Sequence, residues 1–381
     1  MMGKMSKHSS FIYTTKIEKK DILEIASFIS EIFRFNTLDD WIMHLSNIWD
    51  NNPAFQQDMS RGILLKSEER IVGFLAKFPT KMQFYGKEII VANASNLAVH
   101  KDFEGVGLGI KLRREYANGC KDTIMFATTP SDITRRINEK VGFRLLQNDV
   151  DPIYEIDSLI ITNALKAIRL SPIVQRLSKP LSFACIILSL LLKVFNALQL
   201  IRFKKNGLNR KDITVMQLAR ADDSFDKLWE ETKDYYVLTN VRTADVINWH
   251  LSLNPKSKKR LYACYGSGNL LGYMIIADIE VRNVDLKYCI DIWFKKGHEY
   301  IIGSVVDFIL KQKVTQHYGT LILPHFNMLI SNYLSSIGLF KVKGKKIMNY
   351  YSAPESIREK LRADNCYLVH IQGDRGIASA I

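Results

Sequence analysis

The stretch Leu97-Ala98-Val99-His100-Lys101-Asp102-Phe103-Glu104-Gly105-Val106-Gly107-Leu108-Gly109 decides the reading of this 381-residue chain. An apolar strand ends at Val99, the chain turns, and Gly107 and Gly109 stand at the mouth of a helix-forming run. Glycines there let the backbone approach a ligand, and the first helical turn leaves N–H groups pointing outward without partners. Aligned amides and the helix dipole make such a place a cradle for phosphate or pyrophosphate. Arg113 and Arg114, one to two turns on, add positive charge for the same anion. The bland alternative is that the glycines form only a tight turn and a helix cap.

Other phosphate loops fit less well. A mononucleotide loop needs Lys-Ser or Lys-Thr directly after the last glycine, where this chain has Ile110-Lys111. A dinucleotide fold places its loop after the first strand of a parallel unit, with an acidic residue about twenty positions later. Here the preceding runs 62–66, 70–78, 81–85 and 88–99, punctuated by KSEE and Gly86, read as an antiparallel meander. The next strand, 123–129 (TIMFATT), ends in threonines. Before the meander come a strand at 11–17, a helix at 21–34 with Ile22, Ile25, Ala26, Ile29 and Phe33 at helical spacing, and an aromatic-rich segment at 41–49. After TIMFATT, Pro130 and Ser131 open a helical stretch that ends at Gly142.

The second half echoes the first. GNLLGYMII at 268–276 parallels ERIVGFLAK at 69–77, and SIGLF at 336–340 parallels KVGF at 140–143. Both pairs are separated by a comparable length of chain, which points to a diverged duplication. The expected architecture is two α/β lobes, 11–157 and 212–381, joined by a helical bridge at 158–211. That bridge contains no Asp or Glu and ten Lys or Arg, so it carries most of the net charge of +14. Within it, twelve residues precede the first charge of the apolar run 181–201. At 1.5 Å per residue they reach about 18 Å, short of the roughly 30 Å hydrocarbon core. Ser182, Ser189, Lys193, Asn196 and Gln199 recur near helical spacing as a polar stripe. An interfacial helix on an anionic membrane surface through 176–205 fits that pattern; an interdomain helix buried against both lobes fits it as well. No nucleic acid is expected, because the bridge lacks repeated aromatics and a recognition motif.

Residues 11–146 resemble the GCN5-related N-acetyltransferase family. Its acyl-CoA signature is an (Arg or Gln)-x-x-Gly-x-(Gly or Ala) loop after a Leu-x-Val strand. Gly107 and Gly109 match the small positions and Leu97-Ala98-Val99 matches the strand, while Glu104 stands where Arg or Gln is usual. Gly142-Phe143 matches the family's last motif. Asn138 replaces the Tyr that often protonates the departing thiolate, and Ser131 replaces an upstream Asn. The resemblance implies mixed, mostly antiparallel sheets flanked by helices. It also implies acetyl-CoA or another acyl-CoA as co-substrate, held by Leu97, Ala98, Val99, Glu104, Gly105, Val106, Gly107, Leu108 and Gly109, with Ser131 and Asn138 at the family's remaining positions. A carboxylate at Glu104 repels pyrophosphate unless it turns outward.

Transfer from a thioester to an amine needs a polarised carbonyl, an uncharged amine, and a proton for the leaving thiolate. Asn93, Ser95 and Asn96 can orient an amine or water, but an amide cannot take its proton at neutral pH. Asp132 and Tyr154 are candidate acid-base groups from the opposite wall; capping and core packing are their structural alternatives. His100, beside the loop, reads better as a cap than as a base.

The second lobe has no glycine loop: at the matching place stands IWFKKGHE, 292–299. Its expected role is to shape the acceptor pocket. Tyr235, Tyr236, Asn240, Arg242, Trp249 and His250 form either a surface for a sugar or nucleotide or a set of core residues with a surface Arg. Residues 364–374 read as a last strand ending in a turn. The eight histidines lie far apart, so no metal site is expected, and the five scattered cysteines read as reduced thiols. The polar, basic first ten residues give no secretory signal, which points to a cytoplasmic protein, peripheral on the inner membrane face if the bridge is interfacial. Tandem transferases of this kind are similar to proteins of cell-wall and surface-polysaccharide synthesis. That similarity implies an amine acceptor that is a small molecule, such as an amino sugar, or lipid-linked. Two other readings are an aminoacyl-tRNA-dependent cell-wall transferase and a non-catalytic scaffold that kept the fold. Neither the acyl chain nor the oligomeric state is legible.

Overall fold

The computed structural model describes residues 11–34, 36–128, 130–146, 152–156, 194, 198, 201–205, 212–253, 258–281, 284–312, 320–324, 326–339, 341–343 and 349–372. The chain divides into two compact units. The first is Met1–Asn148 with Met348–Asn365 and Gln372–Ile377; the second is Asp149–Ile347 with Cys366–Ile371 and Ala378–Ile381.

In the first unit β1 (Ile12–Lys16) precedes α1 (Ile22–Phe33), which buries Ile25, Ala26, Phe28 and Ile29 at helical spacing. The aromatic-rich segment is a second helix, α2 (Leu38–Ile48), burying Trp41, Leu45 and Ile48. Its start is fixed by a reciprocal cap in which Thr37 Oγ1 accepts from Asp40 N–H and the Asp40 carboxylate accepts from Thr37 N–H. The meander follows as β2 (Gly62–Ser67), β3 (Arg70–Phe84) and β4 (Lys87–Val99).

The two runs read as separate strands at 70–78 and 81–85 are one strand, β3, which passes straight through Pro79. Lys77 N–H donates to Arg61 O on the β2 side. Pro79, two residues on, faces the same side beyond the start of β2, so its missing N–H leaves no β2 carbonyl unpaired. Next come α3 (Leu108–Asn118), β5 (Met125–Ala127), α4 (Asp132–Lys140) and β6 (Arg144–Leu146). α3 packs Leu112 and Tyr116 into a core shared with Leu65, Val72, Leu75, Phe103 and Phe143.

The second unit repeats the plan. It runs β8 (Ile213–Leu218), α5 (Asp223–Thr232), β9 (Leu238–Asn240), α6 (Ala244–Ser252), β10 (Lys259–Gly266), β11 (Asn269–Val281) and β12 (Val284–Phe294). Then follow α7 (Tyr300–Lys311), β13 (Thr320–Pro324), α8 (Met328–Ser336) and β14 (Lys341–Lys343).

The strand orders reveal both the duplication and an exchange. One sheet runs β1-β2-β3-β4-β5-β15-β6, where β15 is Asn349–Ser352 from near the chain's end; the other runs β8-β10-β11-β12-β13-β7-β14, where β7 is Pro152–Ile156. Each sheet therefore receives its penultimate strand from the other half of the sequence. Residues 152–156 group with the second unit and 349–365 with the first, in place of the simple division at 157 and 212. In each sheet the parallel neighbours on the path are its fourth and fifth strands, β4 with β5 and β12 with β13. Of the tail strand expected at 364–374, the described residues form β16 (Cys366–Tyr367), paired in parallel with β9.

Of the bridge, Val194, Leu198 and residues 201–205 are helical. Phe203 is fully buried in the second unit's core. The remainder of 158–211, with most of the proposed membrane segment 176–205, lies outside the described residues. Among the described residues no helix is long and apolar enough to cross a membrane. The described cysteines, Cys120, Cys264, Cys289 and Cys366, are buried and form no disulfide with one another.

Candidate active site

β3 and β4 pair in one register from Phe84↔Lys87 to Ala76↔Ser95 and in another at Phe74↔Ala98 and Gly73↔Val99. Between the two, Asn96 and Leu97 oppose the single residue Leu75, which is a β-bulge. Asn96 adopts φ of 55°, a left-handed conformation that asparagine tolerates better than most residues. The extra residue changes which edge of β4 each amide faces. Before the bulge Ala92 N–H donates to Ile124 O on the β5 side; after it His100 N–H donates to Val72 O on the β3 side. Both residues are even-numbered, so the backbone groups of Leu97 and Val99 point away from β3. Among the described residues β5 pairs with β4 only at Ala92↔Met125 and Asn93↔Phe126, and it ends at Ala127. The N–H and C=O groups of Leu97 and Val99 thus open onto a gap between diverging strands, while those of Ala98 face β3.

The glycine loop follows directly. His100 caps the short 3-10 turn Lys101–Phe103, its Nδ1 accepting from Asp102 N–H at 3.2 Å. Its Nε2 lies 2.6 Å from Arg70 Nη2, so the imidazole is a fixture of the turn. Glu104 and Val106 are exposed. Gly107 is the N-cap of α3 with φ of 88°; the first turn of that helix has no acidic residue and no side-chain cap. A Cβ at Gly107 meets nothing within 4 Å, so backbone angle rather than crowding requires glycine there. Gly109 is different: its Cβ lies 3.1 Å from Ile137 Cδ1, so its smallness brings α3 against α4. Leu108 is buried beneath the loop. Arg113 is turned into the core, its guanidinium 5.6 Å from the Tyr116 ring and 5.5 Å from the Phe143 ring; Arg114 is exposed.

On the far wall, Ser131 caps α4, its Oγ accepting from Thr134 N–H at 3.2 Å. Asp132 is exposed and lies 3.8 Å from Arg135. Asn138 is fully buried with neither side-chain polar atom hydrogen-bonded to a described residue, a state that costs about 1–3 kcal/mol. Tyr154 lies on β7 in the second unit's sheet, in register with Leu323 and Lys341.

A residue not singled out in the sequence, His44 of α2, does reach the bulge. Its Nε2 is 3.0 Å from Asn96 Oδ1, which also accepts from Ser95 Oγ at 2.8 Å. Asn93 is fixed by Thr80 Oγ1 and Gln372 Nε2, at 2.8 and 3.1 Å. Three residues after Trp41 on α2, His44 meets its ring edge-on at 5.4 Å.

The second unit keeps the outline of this site. β12 carries a register shift opposite Ile275/Ile276 and, among the described residues, pairs with β13 only over Leu286–Tyr288. The loop chemistry differs: Glu299 is the N-cap of α7, and its carboxylate accepts from Gly297 N–H at 3.2 Å. A carboxylate thus sits where the first unit presents open amides. Arg242 is buried, forks Asp291 at 3.2 and 3.1 Å and lies 4.2 Å from the Trp293 ring centroid. With buried Asn240, Trp249 and His250 it belongs to the core. Tyr235 and Tyr236 line a cavity of about 150 Å³ with Trp293, Asn327 and Tyr367. Among the described residues no group of three His, Cys, Asp or Glu is placed to hold a metal ion.

The chain is similar to a GCN5-related N-acetyltransferase from Anabaena variabilis, at 10% identity and a TM-score of 0.59 over 90% of this chain and 72% of that one. The fold is that of the GCN5-related N-acetyltransferases. A second likeness to this acetyltransferase fold is a probable N-acyltransferase from Enterococcus faecalis, at 10% identity and TM-score 0.58 over 89% and 72% of the two chains. A third is the N-myristoyltransferase of Saccharomyces cerevisiae with bound myristoyl-CoA, at 12% identity and TM-score 0.50 over 99% and 88%. No protein-family model matches the sequence, and no curated protein matches it.

Proposed function

We propose that the chain is an acyl-CoA-dependent N-acyltransferase working in its first unit, with acetyl-CoA or another acyl-CoA as donor. The observation that carries this reading is the alignment along one strand end of a bulge at Asn96–Leu97, backbone groups of Leu97 and Val99 opening on a gap, and an uncapped helix N-terminus at Gly107. Amides at the start of α3 hold the pyrophosphate. The gap takes the pantetheine arm as an added strand, its amides pairing with Leu97 and Val99. The thioester then lies near the bulge, where a backbone N–H polarises its carbonyl.

An acceptor amine attacks the thioester carbon, the C–S bond breaks, and the amine's proton leaves through a base. His44 is the candidate for that role through Nδ1, because the Nε2 that meets Asn96 Oδ1, an acceptor, carries the proton of the neutral ring; Asn96 and Ser95 orient it. Asn138 supplies no acidic proton, so the thiolate takes its proton from solvent or departs as the anion. Glu104 is exposed, so water screens its charge from the anion. The acceptor is an amine, with an amino sugar or a lipid-linked cell-surface precursor as the class to test first. The protein is placed on the cytoplasmic side, where acyl-CoA is available.

Calorimetric titration with acetyl-CoA tests the donor site, and release of free thiol on adding a panel of amines tests the reaction. Saturable binding lost in Gly107→Trp supports the reading. Intact binding in that variant places the pyrophosphate elsewhere, and no binding to the parent protein favours the non-catalytic scaffold.

A further inference from the structure

The exposed side of the bridge helix carries a pattern that the acyltransferase reading does not use. Val194, Leu198 and Ile201 are helical and are 59%, 54% and 62% exposed. Their spacing of four and then three positions is the one that sets side chains on a single face of a helix. Phe203, on the opposite side of the helix, is fully buried in the second unit's core. Gly338, just after α8, sits so close that a Cβ there would lie 2.9 Å from Arg202 Cβ, so this end of the helix is held against the unit. Within 201–205, Arg202 and Lys204, both exposed, flank Ile201 at about 100° on one side and about 60° on the other, and exposed Lys205 lies about 40° from it.

Three aliphatic side chains facing water, bordered by cations on both sides, match the interface of a bilayer: apolar groups among the upper acyl chains, charges among the headgroups. The surrounding sequence strengthens the match, since 158–211 holds ten basic residues and no acidic one. Self-association through this face would bring two sets of cations together. We infer that the protein docks peripherally on an anionic lipid surface through the face formed by Val194, Leu198, Ile201, Lys204 and Lys205. Each basic group near such a surface strengthens binding about fivefold. This inference stands independently of the acyltransferase reading.

The test is co-flotation of the full chain with vesicles of phosphatidylcholine alone or with 30% phosphatidylglycerol (about one lipid in three, a common anionic fraction). Binding is expected only to the anionic vesicles, weakening as salt is raised. Lys204→Gln with Lys205→Gln is expected to weaken it by about thirtyfold, and Leu198→Asp with Ile201→Asp to abolish it. All four positions are exposed, so thermal melting and acetyl-CoA affinity measured without lipid should match the parent and separate a failure of docking from a failure of the donor site. Absence of flotation with anionic vesicles, or flotation unchanged in both double variants, overturns the inference. Loss of a dimer in Leu198→Asp/Ile201→Asp without any vesicle binding by the parent overturns it too, in favour of a contact between copies.

Discussion

His44 Nε2 lies 3.0 Å from Oδ1 of Asn96, joining a helix of the first unit to the strand bulge that opens its sheet. The bond links a titratable ring to the place where the thioester is expected. Replacing His44 by Ala is expected to lower kcat by about 10²–10⁴, the usual contribution of a general base, with acetyl-CoA affinity unchanged. His44→Gln separates the roles. If Gln restores activity and the acid limb of the pH–rate profile persists, His44 only positions Asn96.

Gly107 and Gly109 should respond differently to the same substitution. Gly107→Val forces a branched side chain into φ of 88°, which costs about 1–2 kcal/mol, and covers the amides of α3. Acetyl-CoA binding by calorimetry should weaken at least tenfold. Gly109→Val drives a side chain into Ile137, so its main signature should be a lower Tm.

The buried pair Arg242–Asp291 calls for a denaturant experiment. Arg242→Met leaves Asp291, fully buried and bonded also by Tyr273 OH at 2.7 Å, without its counter-charge. A loss of about 3–5 kcal/mol in urea unfolding is expected. Adding Asp291→Leu should recover much of it, because the uncompensated charge rather than the missing bond dominates.

His250 predicts a pH dependence. Burial, then the nearby charges of Lys259 and Arg242, push its pKa down to about 3. The folded value lies below the unfolded one, so on acidification the unfolded state binds the proton first. His250 therefore contributes fully above pH 6.5, and its contribution is lost as pH falls from there toward 3. The slope approaches about 1.4 kcal/mol per pH unit. Unfolding curves of His250→Phe over the same range should be shallower by about that amount.

How much was legible depends on the distance over which each feature is set. The meander, the glycine loop and α4 are local patterns of alternation, turn residues and caps, and each lies close to where its residues put it. Pro79 was misleading because its cost depends on which edge of β3 its nitrogen faces, something no window of sequence reveals. The pairing of His44 with Asn96 spans 52 positions and that of Arg242 with Asp291 spans 49; only folding brings either pair together. Tyr154 and Asp132 have acid-base chemistry, which says nothing of where the chain carries them. The structure puts the first on a strand of the second unit's sheet and leaves the second facing solvent.

The exchange of β7 and β15 has a consequence for how the protein can be made. During synthesis β5 and β6 emerge early, but the strand that belongs between them is Asn349–Ser352. Until that segment leaves the ribosome, the front half holds an open slot with unpaired edges on both sides, able to accept a strand from any neighbouring nascent copy. A gene cut at the bridge would therefore yield two fragments that each lack a piece of their own sheet and carry a piece of the other's.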